Sequence, residues 1–171
     1  EGMKKHFWKS QLKIVKMSTT GFSYFPEFDK KILHSAIKEQ RNSPEPFRMM
    51  VWGKEGSGKT TCTIMFVQGL YVTCRIGSVE FDNYRKMIDV NGNKVLVEIW
   101  DASEAAAKTI YGNDDYKFDE WTMNIIVYSI TSRASFKEVQ KLIDYISHSK
   151  YFNDADVPKI PLLIIGNKID L

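Results

Sequence analysis

The sequence predicts an α/β protein. The expected fold has three layers, α/β/α, around a six-stranded, mainly parallel sheet with one antiparallel edge strand. Three observations predict it. Near-continuous apolar runs such as "MNIIVYS" and "PLLIIG", the mark of strands buried on both faces, alternate with helical segments. One tight-turn pair, Asn91-Gly92, joins two arms of alternating polarity and supplies the antiparallel connection. A glycine-rich loop joins a buried strand to a helix in "FRMMVWGKEGSGKTTCTIMFVQGL".

Composition bounds the function. A chain of 171 residues suits a single domain, 1–171. An apolar fraction of 43% with 13% aromatics supplies a core and is not a disordered composition. The net charge of +3, from 24 basic and 21 acidic residues, is too small and scattered for a nucleic-acid partner. Cys62 and Cys74 lack metal-ligand spacing, so a reducing, cytoplasmic compartment is expected. No apolar run reaches membrane-spanning length. The start, "EGMKKHFWKS", lacks the apolar stretch of a signal peptide. Neither end carries a lipidation motif, so membrane attachment is not visible in this chain.

Taken in order, residues 11–16 alternate like a strand. Pro26 opens a helix with an apolar face of Phe28, Ile32, Leu33, Ala36 and Ile37, closed by Arg41-Asn42-Ser43-Pro44. Residues 47–52 read as a buried strand, and residues 61–68 as a helix that Gly69 can cap. Between them, Gly53-Lys54-Glu55-Gly56-Ser57-Gly58-Lys59-Thr60 fits G-x-x-x-x-G-K-[ST], the signature of a P-loop NTPase fold. Glycines let the backbone curl so that successive N–H groups face an anion, with the positive end of a helix behind them. Gly53, Glu55, Gly56, Ser57, Gly58, Lys59, Thr60 and Thr61 are therefore the candidate phosphate-binding residues. Lys59 can reach the terminal phosphates, and the Thr60 hydroxyl can ligate Mg²⁺. A plain glycine turn before a helix is the bland alternative.

"RKMIDVNGNKVLVEIWDAS" reads as a hairpin whose second arm ends at Asp101. A carboxylate at the end of a strand beside a phosphate loop can hold Mg²⁺; it can equally cap a helix. Thr131 or Ser132 can cap a helix over residues 133–150, whose buried face is Phe136, Val139, Leu142, Ile143 and Ile146. The final strand of "IPLLIIGNKIDL" runs into Asn167-Lys168-Ile169-Asp170. A carboxylate there can accept two hydrogen bonds from the N1–H and exocyclic amine of guanine, a pair that adenine does not offer. Asn167 can tie this loop to the phosphate loop, and the Lys168 stem can lie against the base.

From residue 47 to residue 171 the sequence resembles the Ras superfamily of small GTPases. The resemblance rests on "GKEGSGKT", "FDNYRK", "WDAS" and "NKID". It implies GTP or GDP with Mg²⁺ as cofactors, Thr60 and Asp101 serving the metal, and Asn167, Lys168 and Asp170 serving guanine. It places Tyr71 over the base edge, although an ordinary packed tyrosine fits there too. It also implies effector or regulator proteins as partners. The departures fall on γ-phosphate chemistry. Where the family has Asp-x-x-Gly-Gln, this chain has Asp101-Ala102-Ser103-Glu104-Ala105. Glu55 stands where Ras commonly has Gly, and Val79, with Ser78 beside it, where a switch threonine is expected. No residue is assigned a catalytic role.

A family domain would continue past residue 171 with a strand, a base-contacting loop and a helix. Those features are found in order in residues 1–41, with Ser18, Thr19 and Thr20 at the base loop and residues 47–171 holding the phosphate loop through "NKID". A circular permutation is expected. A cut from a tandem array, or a truncated domain with an unrelated extension, gives the same sequence. Four functions follow: a guanine-nucleotide binder with weak or absent hydrolysis, a GTPase that needs a partner, a P-loop kinase or ATPase, and a pseudo-GTPase interaction module. "NKID" argues against the third.

Overall fold

Runs that are apolar throughout fold into strands covered on both faces. In the computed structural model, five of the six residues of Phe47–Trp52 and all six of Leu162–Asn167 are buried. The structure describes residues 12–16, 46–72, 81–90, 92–111, 123–148 and 162–171. Its elements are β1 (Leu12–Lys16), β2 (Phe47–Trp52), α1 (Lys59–Gln68), β3 (Phe81–Val90) and β4 (Asn93–Ala102). They continue with α2 (Glu104–Tyr111), β5 (Met123–Ser129), α3 (Arg133–His148) and β6 (Leu162–Asn167).

The sheet has six strands in the order β1-β6-β5-β2-β4-β3. Every neighbouring pair is parallel except β3–β4, the hairpin, which leaves β3 as an antiparallel edge. The turn is closed by Gly92, whose N–H donates to Asp89 Oδ1 at 2.8 Å. Residues 12–16 form the strand that their alternation predicts, and β1 lies parallel to β6 with Leu12 opposite Leu162 and Lys16 opposite Gly166.

One face of the sheet packs Phe47, Met49, Val51, Val97 and Ile99 with Met123, Val127, Leu163, Ile165 and Cys62 of α1. Successive strand residues point to opposite faces. Tyr128, next to Val127, therefore points the other way, and there its ring meets Phe136 of α3 edge-on at 5.3 Å. Helices thus cover both faces. α3 buries Val139 and Leu142, and its cap is Ser132, whose Oγ accepts the Ser135 N–H at 3.3 Å. Across the hairpin, the buried Glu98 carboxylate accepts from Arg85 at 2.8 Å and Asn83 at 3.2 Å and pairs with Arg48 at 3.5 Å. These partners satisfy the buried carboxylate.

Three details differ from the sequence reading. α1 begins at Lys59, two residues before the expected start, because Gly58 adopts the left-handed conformation that opens the helix. α2 is a helix that the reading stopped short of. Phe136, expected on the buried face of α3, is 45% exposed. The expected helix that Pro26 opens lies outside the described residues, as do Cys74, Ser78 and Val79. Among the described residues no helix is long and apolar enough to cross a membrane.

Candidate functional site

Parallel strands carry their following loops to one end of the sheet, and in open α/β sheets ligands bind there. Here β2, β4 and β6 deliver residues 53–58, 101–104 and 167–170 to that end. Two glycines in the first loop are sterically required. A Cβ on Gly53 would overlap the carbonyl oxygen of Val127, and one on Gly58 would overlap the Asn167 amide. The loop closes on itself through Ser57 N–H to Lys54 O at 3.1 Å. No side chain caps α1, so the amides of its first turn are left for another acceptor. Ser57 Oγ is buried without a hydrogen-bond partner, and Lys59 is buried at the head of the helix.

The Thr60 hydroxyl donates to Asp101 Oδ2. The other carboxylate oxygen, Oδ1, is buried and unpartnered. Burial pushes the Asp101 carboxyl up to about 6, against the pull of Thr60 and Lys59, with the Asp82 charge adding to the rise. Asp101 is not a helix cap: Ser103 Oγ fills that role, accepting the Ala106 N–H at 3.0 Å. A hydroxyl and a carboxylate with an orphaned oxygen suit a hard cation, which takes oxygen ligands. The residues present therefore fit a phosphate with Mg²⁺. The neighbouring Cys62 thiol is pushed up to about 12, by burial first and by Asp101 second, which makes it inert.

At the end of β6, Asn167 Nδ2 donates to Ser57 O at 3.0 Å across the loops, and Asn167 Oδ1 accepts the Lys168 N–H at 2.9 Å. Lys168 adopts a φ of 66°, the only positive φ outside glycine among the described residues, and this turns the chain sharply. Leu171 N–H closes the turn on Lys168 O at 3.3 Å. Asp170 is exposed on that turn. The tie between the two loops, expected from the sequence, is therefore present. The sequence profile of the Ras family matches residues 48–171.

The chain belongs to the Ras family. Ras-related protein rapC of Dictyostelium discoideum is similar to it, 35% identical over 132 residues. That match covers 74% of this chain and 44% of rapC, so the chain spans less than half the length of this curated relative.

The remaining positions of this Ras-family chain are placed as follows. Thr61 follows Thr60 in the first turn of α1 and is partly buried. Tyr71 lies beyond the Gly69 cap and is 47% exposed. Ser18, Thr19 and Thr20 lie outside the described residues. Glu55 is exposed at the lip of the loop, and Ala105 is exposed in the first turn of α2. One contact escaped the sequence reading. Glu104 opens α2, and its carboxylate reaches back to the phosphate loop, accepting the Glu55 backbone N–H at 3.1 Å and the Lys54 ammonium at 3.4 Å. Only the charge signs hinted at it, because the partners are about fifty positions apart in sequence.

Proposed function

We propose that this chain is a guanine-nucleotide-binding switch protein that holds GDP or GTP with Mg²⁺ and turns GTP over slowly. The observation that carries the reading is the hydrogen bond from Asn167 to Ser57 O. It fastens the turn bearing Asp170 to the loop that cradles phosphates, so one ligand with a base and a phosphate chain can span both. Asp170 would then accept from the guanine edge, and the Lys168 stem would lie along the base. Lys59 and the α1 amides would bind phosphate oxygens. Thr60 and Asp101 would hold Mg²⁺, which neutralises phosphate charge when bound.

Slow turnover rests on residues in the turn after β4. Ala105 has no polar group with which to orient water, and Glu104 carries a negative charge engaged with the phosphate loop. The intrinsic rate of roughly 10⁻⁴ s⁻¹ that Ras shows is expected as an upper bound. We extend the proposal to chain order: Leu12–Lys16 serves as the last strand of the family domain placed first, a reading supported by its parallel pairing with β6.

Two measurements test this. Chromatography of the nucleotide released from purified protein should find GDP or GTP; ATP, or no nucleotide, would contradict the reading. Single-turnover hydrolysis of bound GTP should be no faster than the intrinsic value. A clearly faster rate, lost in Glu104→Ala, would instead make Glu104 catalytic.

A further inference from the structure

An N–H group of a phosphate loop that already serves a carboxylate is not free for a phosphate. Glu55 N–H is in that position, with Glu104 Oε2 at 3.1 Å. The other oxygen of the same carboxylate faces Lys54 Nζ at 3.4 Å. Glu104 is therefore an internal anion bound by the backbone and by a cation of the loop, as an incoming ligand would be.

Its location decides which ligand it opposes. Glu104 stands three residues beyond Asp101, in the turn that leaves the carboxyl end of β4. Thr60 and Asp101 would hold Mg²⁺ on this side of the loop, where it would neutralise the charge of the terminal phosphates. A third phosphate beside that metal would lie on the β4 side of the loop, the side on which Asp101 and Glu104 stand. A diphosphate ends short of that side. The two ligands thus differ by one charged group, on the side where this carboxylate already sits. Ser103 fixes the start of α2 through its bond to the Ala106 N–H, so the carboxylate is held by a capped helix rather than a free loop.

We infer that Glu104 is a specificity-determining residue that sets this site to favour guanosine diphosphate over guanosine triphosphate. The inference rests on the guanine-nucleotide reading above and adds its preference. Binding the triphosphate requires the carboxylate to release Lys54 and the Glu55 amide, or to remain beside a like charge. Binding the diphosphate requires neither.

The test is equilibrium titration of nucleotide-stripped protein, in Mg²⁺, with GDP and with a non-hydrolysable GTP analogue. The native chain, Glu104→Gln and Glu104→Ala are compared. The native chain should prefer the diphosphate by roughly tenfold or more, the size of a lost charge-assisted bond. Both variants should narrow that preference about tenfold by tightening the analogue. Their GDP affinity should be unchanged, which also reports that they are folded. Equal affinities in the native chain, or a preference that survives both substitutions, overturn the inference and leave the guanine reading standing. Variants that weaken both ligands in parallel also overturn it, because Glu104 would then be structural. If the native chain binds neither nucleotide, the guanine reading fails, and this inference with it.

Discussion

Asp101 is an ionisable group held where charge is unfavourable, and replacing it should stabilise the empty protein. Its carboxyl moves from 3.8 to about 6, chiefly through burial. A rise of roughly two units corresponds to about 3 kcal/mol. The folded state therefore binds this proton more tightly than the unfolded chain. The associated stability is fully present below about pH 4 and is lost as pH rises through about 6. Asp101→Asn keeps the volume and an acceptor for the Thr60 hydroxyl but removes the buried charge. In urea unfolding of nucleotide-stripped protein in EDTA, the variant should exceed the native chain by about 2–3 kcal/mol at pH 7.5. The gap should close toward pH 4. With Mg²⁺ and GDP at about a thousand times its Kd the order should reverse, because ligand then stabilises the native chain by about 4.1 kcal/mol. A variant that is less stable in EDTA at pH 7.5, or a gap independent of pH, would refute the assignment of a carboxylate whose charge is disfavoured by burial.

Guanine selectivity should reside in Asp170: Asp170→Ala removes two charge-assisted bonds of roughly 1.5–3 kcal/mol each. GDP affinity should then drop by orders of magnitude in competition titrations while ADP affinity barely moves; equal GDP and ADP binding by the native chain would dismiss that role. Two of the three positive-φ glycines of the loop, Gly56 and Gly58, should behave differently. Gly56→Ala, with open space at its Cβ, should cost only the left-handed backbone penalty of about 1–2 kcal/mol in urea unfolding. Gly58→Ala adds a clash with Asn167 and should cost clearly more, with loss of nucleotide binding. At the sheet's centre, Trp52 Nε1 donates to the buried Asn124 Oδ1 at 2.7 Å, so Trp52→Phe should cost about 1–3 kcal/mol for the orphaned acceptor, read as a lower urea midpoint.

Much of this was legible because its signals are local. The strands β2, β5 and β6 announce themselves by runs without polar interruption, and the hairpin by Asn91-Gly92. The phosphate loop is a contiguous string whose glycine spacing has a single structural use. Even the bond from Asn167 to Ser57, which joins distant residues, follows once both loops are assigned to the same end of a parallel sheet. α2 was within reach too: Ser103 followed by Glu-Ala-Ala-Ala-Lys is a cap ahead of strong helix formers. The grip of Glu104 on the phosphate loop was not. From sequence, its charge reads only as repulsive to phosphate, since nothing local reveals that its oxygens meet Lys54 and the Glu55 amide. Sequence left Asp101 open between metal ligand and cap, and the capping bond belongs to Ser103.

The pairing of β1 with β6 carries a consequence for how the molecule is made. Leu12 and Leu162 stand at nearly opposite ends of the chain, yet they are neighbours in the sheet. During synthesis β1 emerges well before β6, and the pair closes only when the two meet. Until then the edge of β6 is incomplete, and its open amides and carbonyls are a template for any other strand. Closing so long a loop adds little equilibrium cost, because the entropy grows only with the logarithm of length. It does make this contact one of the slowest kind to form, because its partners are far apart in sequence. Refolding should therefore show a late phase that follows β1 docking, and aggregation should compete at that stage, rising with protein concentration.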